Sequence, residues 1–128
     1  MTPTLSQVYL MVTDLERSRE FYETVFDLPI AETGSQSVAF ETGRCELKLE
    51  QQFDDETLSA FGLSPPGDSR GDGAIAVLEV DDVDAVYERA TEAGATTPFG
   101  PADVEWGRRI LLVEDPDGYV FEVSRPLE

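Results

Sequence analysis

Val12-Thr13-Asp14-Leu15 and Val80-Asp81-Asp82-Val83 decide the fold. Each stretch closes an apolar run and opens a segment of helical periodicity. Before the first, Gln7–Val12 reads as a strand, and after it Leu15, Ser18, Tyr22, Val25 and Phe26 recur at the spacing of one helix face through residues 16–26. Asp14 is an N-cap residue, with Arg17 where the acidic partner of a reciprocal capping box would stand. A shift of 68 residues places Leu15, Ser18, Tyr22 and Val25 on Val83, Val86, Ala90 and Ala93. The chain therefore repeats one supersecondary unit, and such a repeat constrains a fold more than any single element does.

Working outward, strands are expected at residues 30–32, 35–41 and 45–51. In the last of these Cys45, Leu47 and Leu49 alternate with Glu46, Lys48 and Glu50. Residues 52–73 form a connector: a short helix at 54–61 with Leu58 and Phe61 on one side, then a run of turn residues from Ser64 to Gly73. The second unit reads as a strand at 74–80, a helix at 83–93 with Val83, Val86, Tyr87 and Ala90 inward, a short strand at 96–99 and a strand at 108–113. Asp115-Pro116-Asp117-Gly118 is a hairpin turn, because Pro116 presets φ and Gly118 tolerates a positive one. Beyond it, Val120, Glu122 and Ser124 face one way and Phe121 and Val123 the other. A shift of 76 places Cys45-Glu46-Leu47 on Phe121-Glu122-Val123. The expectation is one α+β domain of two β-α-β-β-β modules, at 5–51 and 74–127, forming a curved mixed sheet around a shared cavity.

The 128 residues suffice for one domain with a real core. No run approaches the ~18 apolar residues of a membrane span, and no signal peptide is visible at the N-terminus. A single cysteine, Cys45, permits no intrachain disulfide and fits a cytoplasmic, reducing setting; its place beside Leu47 suggests a buried, inert thiol. Twenty-seven acids against nine bases, with no histidine, give a net charge of −18. That balance argues against nucleic acid or an anionic membrane as partner, and resembles the composition of proteins from salt-loving organisms.

The chain resembles the vicinal oxygen chelate superfamily, which includes glyoxalase I, bleomycin-resistance proteins and extradiol dioxygenases. The resemblance is carried by Val12 to Ser18 with Phe21-Tyr22, by Trp106-Gly107, and by Glu114-Asp115-Pro116-Asp117-Gly118 followed by Glu122. It implies a homodimer and a small-molecule ligand. In members with metal, four ligands stand on the first and last strand of each module. Carried onto this sequence they are Gln7, Glu46, Ile75 and Glu122, and Ile75 departs from the pattern because it cannot ligate. A set of Gln7, Glu46 and Glu122 suits Mg²⁺, Mn²⁺ or Ca²⁺ better than zinc or iron, so the expectation is no cofactor or a weakly held divalent metal. Without histidine, extradiol dioxygenase chemistry is disfavoured.

Three functions follow from that resemblance. One is binding of a small apolar or aromatic molecule without a tight transition-metal site. Another is a glyoxalase- or epimerase-type lyase or isomerase in which Glu122 or Glu46 moves a proton. The third is a non-catalytic scaffold or interaction protein. Tyr9, Met11, Phe40 and Trp106 either line a ligand cavity or fill the core. Arg108 and Arg109 are candidates for an anionic substrate, and Lys48 is placed to neutralise Glu46.

Overall fold

The computed structural model describes residues 2–128 and divides into two compact units, the first running to Pro66 and the second from Gly67. The connector is thus shared between them, its helix going to the first unit.

The first unit is built from β1 (Gln7–Val12), α1 (Leu15–Thr24), β2 (Ile30–Thr33), β3 (Ser37–Phe40), β4 (Glu46–Gln51) and the short α2 (Asp55–Ala60). Its four-stranded sheet has the order β1-β4-β3-β2; β1 runs parallel to β4 and the other pairs are antiparallel. Asp14 caps α1, accepting a hydrogen bond from the Arg17 backbone N–H, which satisfies one of the helix's orphan donors. The side chain of Gln51 ties the same helix start to the end of β4: its Oε1 accepts from the Leu15 N–H and its Nε2 donates to the Thr13 carbonyl, both at 3.0 Å. Tyr22, Val25 and Phe26 then bury against Val38, Phe40, Leu47 and Leu49. Tyr22 and Phe40 stack with ring centroids 5.9 Å apart. Phe40 is therefore a core residue, as the pairing of Phe40 with the buried Leu47 requires. In α2 Leu58 is buried, whereas Phe61 just beyond it is exposed.

The second unit repeats the plan with β5 (Ile75–Glu79), α3 (Val83–Glu92), β6 (Phe99–Val104), β7 (Arg108–Glu114) and β8 (Val120–Pro126), in the sheet order β5-β8-β7-β6. Asp82 caps α3 with almost the backbone angles of Asp14, φ −135° and ψ 95° against −142° and 99°, so the 68-residue shift holds at the helix starts. Val83, Val86 and Ala90 are buried against the sheet, but Tyr87 is exposed. In place of the short strand expected at 96–99, β6 continues through Gly100-Pro101 to Val104. A bulge between Phe99 and Ala102 absorbs the pair. Only glycine fits at Gly100: φ is +87°, and a Cβ there would lie 2.5 Å from the Ile110 carbonyl oxygen.

The turn between β7 and β8 is held from within. Asp115, buried, accepts at one carboxylate oxygen from the backbone N–H groups of Asp117 (2.9 Å) and Tyr119 (2.8 Å), while its own carbonyl accepts from the Gly118 N–H. Gly118 has φ +91°, the conformation the turn needs.

Candidate functional site

In a sheet, residues paired across strands share a face. The parallel pairing of β1 with β4 sets Gln7 opposite Glu46, and Gln7 Nε2 donates to Glu46 Oε1 at 3.0 Å. These two side chains, with Ser6, Glu41, Gly43 and Arg44, line a pocket of about 400 Å³. Two positions along, on the same face, Lys48 stands opposite Tyr9 with its ammonium 5.2 Å from the ring centroid and 3.2 Å from Glu50 Oε1. Lys48 thus neutralises Glu50, and Glu46 takes Gln7 as its partner. Tyr9 and Met11 lie on this face with Gln7, on the side of the sheet away from Phe40 and α1. Cys45 is half-buried just before β4, its Sγ 3.6 Å from the Glu46 carbonyl oxygen.

In the second unit Glu122 stands between Val77 of β5 and Leu112 of β7, and Ile75 stands opposite Val120. This register differs from the one expected from the repeat. Gln7 faces Glu46, whereas Ile75, 68 residues after Gln7, faces Val120, 74 residues after Glu46. The residue at Glu122's own level in the first unit is Lys48. Glu46 and Glu122 have the same face parity in their own modules, because the offset is two residues, but Glu122 lies one same-face step, about 7 Å, further along its own strand than Glu46 does along its own. Helix starts and strand pairings shift independently, since the connections between them differ in length.

Around Glu122 the face is apolar. α3 covers the other side of this sheet, and Ile75, Val77 and Phe99 remain 58%, 63% and 45% exposed, with Leu112 and Val120 half-buried beside them. Phe99 pairs with Leu112, so it joins the same row. At one end of the face stands Arg108. Its Nε donates to Ser124 Oγ at 2.6 Å and its Nη2 to Glu79 Oε2. Arg109, one residue on, points to the helix side, where it holds Asp84 with two hydrogen bonds and Asp103 with a third. That fork keeps the Asp84 carboxyl below its usual range and pushes the Arg109 guanidinium up. Arg109 is structural, and of the two arginines Arg108 is the one on the open face. Trp106 is exposed in the turn between β6 and β7.

The structure therefore brings together Gln7 and Glu46, places Tyr9 and Met11 beside them, and sets Glu122 and Arg108 on one face of the second unit. Among the described residues no three His, Cys, Asp or Glu side chains group as a metal site would require. Sequence reasoning missed Val77, Phe99, Leu112, Glu79 and Ser124. A signal for the first was present: Ile75-Ala76-Val77-Leu78 is apolar at every position, without the polar alternation that would mark one face as solvated. The Glu79–Arg108–Ser124 contact depends on strand register and leaves no local trace.

The profile of the Glyoxalase/Bleomycin resistance protein/Dioxygenase superfamily matches residues 4–123. The uncharacterized protein YraH of Bacillus subtilis (strain 168) is 29% identical over 96% of this chain and 98% of its own. The uncharacterized protein Rv0887c of Mycobacterium tuberculosis (strain ATCC 25618 / H37Rv) is 30% identical over 98% of this chain and 75% of its own. Among solved structures, a glyoxalase/bleomycin resistance protein/dioxygenase from Nocardioides superposes with a TM-score of 0.75 at 25% identity, covering 100% of this chain and 86% of that one. A glyoxalase-related enzyme from Fulvimarina pelagi does so with a TM-score of 0.81 at 20% identity, covering 97% and 88%. With two β-α-β-β-β modules and a profile match along nearly its whole length, the chain belongs to the glyoxalase/bleomycin resistance protein/dioxygenase superfamily.

Proposed function

We propose that this protein binds a small apolar or aromatic molecule on the open sheet face of its second module, without a tight transition-metal site. The observation that carries this reading is the exposed row Ile75, Val77 and Phe99 around Glu122: apolar side chains left in water beside few polar groups mark a surface that takes a ligand. Donor chemistry supports the second half. Gln7 and Glu46 offer an amide oxygen and a carboxylate, Glu122 stands among Val77 and Leu112, and Ile75 offers nothing. Zinc and iron sites draw on nitrogen or sulfur ligands, whereas oxygen donors alone suit Mg²⁺, Mn²⁺ or Ca²⁺ held weakly. In the same reading the protein is a cytoplasmic homodimer adapted to high salt, and its net charge of −18 argues against nucleic acid or anionic membrane as partner.

The Gln7–Glu46 pair and its pocket favour one alternative, a lyase or isomerase of glyoxalase or epimerase type. There Gln7 and Glu46 would hold a divalent metal, which would polarise a carbonyl, and the Glu46 carboxylate would move the adjacent proton.

A melting-temperature screen decides between them. Small aromatic and aliphatic compounds, and separately Mg²⁺, Mn²⁺, Ni²⁺ and Zn²⁺, are added to the wild type, to Val77→Glu and to Glu46→Gln. Binding on the apolar face predicts stabilisation by aromatic compounds that Val77→Glu removes and Glu46→Gln retains. Stabilisation by a metal that Glu46→Gln abolishes, with no response to the compounds, would replace this reading with the enzymatic one.

A further inference from the structure

We infer that the ligand of the second module's open face carries one acidic group, and that this group is held by the Arg108 guanidinium while the apolar body lies toward Leu112 and Val77. The inference rests on the proposed binding face and names the chemical class of its occupant. By strand register four charged side chains share that face, Arg108 and Glu79 toward one end and Glu122 and Glu114 toward the other, and they give it a direction. Arg108 and Leu112 lie four residues apart on β7 and share the face, and Leu112 pairs with Glu122. At ~3.4 Å per residue the backbones of Arg108 and Leu112 are about 14 Å apart, and the Arg108 side chain, bonded at Ser124, shortens that span to one that a molecule of two or three rings can bridge. Glu122 and Glu114 repel an anion from one end, and Arg108 is the cation at the other, where Glu79 competes for it.

Arg108 is built for this. Its Nε is fixed on Ser124 Oγ, and Ser124 is fully buried, so the plane of the guanidinium is set from below. A guanidinium has five N–H donors. The contacts to Ser124 and Glu79 use two, and the arginine side chain keeps 30% of its surface open. Glu79 holds Arg108 from a side chain that is 65% exposed. An exposed pair of that kind is weak and yields to a carboxylate, sulfonate or phosphate that brings apolar contacts with it. Arg109 has no such freedom, since Asp84 and Asp103 occupy it on the helix side of the sheet.

Two fluorescent probes with one aromatic body test the inference: 1-anilinonaphthalene-8-sulfonate, which carries an acidic group, and N-phenyl-1-naphthylamine, which does not. Binding is titrated at about 1 M salt, where the Debye length of ~3 Å screens the chain's overall negative field. The wild type should hold the sulfonate more tightly than the neutral probe. Arg108→Gln should weaken the sulfonate about tenfold, the order expected for one charge-assisted hydrogen bond, and leave the neutral probe unchanged. Glu79→Gln changes an exposed side chain and leaves the fold intact. By freeing Arg108 of its competitor it should strengthen the sulfonate several-fold and spare the neutral probe. If both probes bind and neither variant discriminates between them, the acidic-ligand inference falls and the apolar face stands. If neither probe binds the wild type, the binding face itself is overturned.

Discussion

Ser18 is fully buried in α1, and its Oγ has no hydrogen-bond partner among the described residues. A buried hydroxyl without a partner forfeits its hydration and gains nothing in exchange, so removing it is neutral or favourable. Alanine is also the better helix former by roughly 0.5 kcal/mol. Ser18→Ala is expected to hold or raise the unfolding free energy, by up to about 1 kcal/mol, in urea titration. A loss above about 1 kcal/mol would mean that the hydroxyl has a bonded partner in solution. Asp115 presents the opposite case. It too is buried, but its carboxylate accepts from two backbone N–H groups of the β7–β8 turn. Asp115→Ala would strand both donors and is expected to lower stability by about 1–3 kcal/mol, whereas Asp115→Asn, which keeps an acceptor oxygen, should lose less. Equal losses in the two variants would show that the turn does not depend on that oxygen.

Between elements of the second unit, the Arg109 fork ties Asp84 at the start of α3 and Asp103 of β6 to β7 with three hydrogen bonds. Hydrogen bonding to Arg109 lowers the Asp84 carboxyl below its ordinary value of 3.8. A carboxylate depressed in the folded state contributes stability above its unfolded pKa, and the contribution disappears as pH falls through the folded value. Wild type should therefore exceed Asp84→Asn in stability at neutral pH, and the gap should close below pH 3.8. Because Asp84 is more than half exposed, the gap is expected to be a fraction of a surface pair's ~1 kcal/mol and to shrink with salt. A gap that persists at low pH would assign the loss to packing. Elements of this kind also mark what the sequence discloses. Helix starts were legible at Asp14 and Asp82, because a cap is local chemistry, and the strands around the Asp115–Gly118 turn were legible for the same reason. Phe40 could not be assigned to core or cavity from alternation alone, since both faces of its strand carry apolar residues; stacking on Tyr22 settles it. The extent of β6 was hidden because Gly100-Pro101 reads as a strand end, and only a bulge carries the pairing across it. At the candidate site the Gln7–Glu46 pair was legible from family spacing, while the opposition of Glu122 to Val77, and not to Ile75, depends on a register that no local residue specifies.

For the whole molecule the dominant quantity is the net charge of −18 on 128 residues. Like charges at that density repel in the compact state more than in the expanded chain, so unfolding relieves them. The Debye length falls from ~10 Å at 0.1 M to ~3 Å at 1 M salt, a change from a range that spans several surface carboxylates to one that barely reaches the next. The melting temperature should accordingly climb steeply with KCl over that interval. Salt also strengthens apolar burial by a route that does not depend on charge, and a second protein separates the two. Glu20, Glu32, Glu88 and Glu105 are all exposed. A variant with all four changed to glutamine carries −14, because each substitution removes one negative charge from −18. If repulsion is the cause, this variant melts higher than wild type at low salt and the difference narrows toward 1 M, where screening has already done what the substitutions do. If the two proteins climb in parallel, charge is not what the salt relieves. The acidic composition would then act on solubility alone.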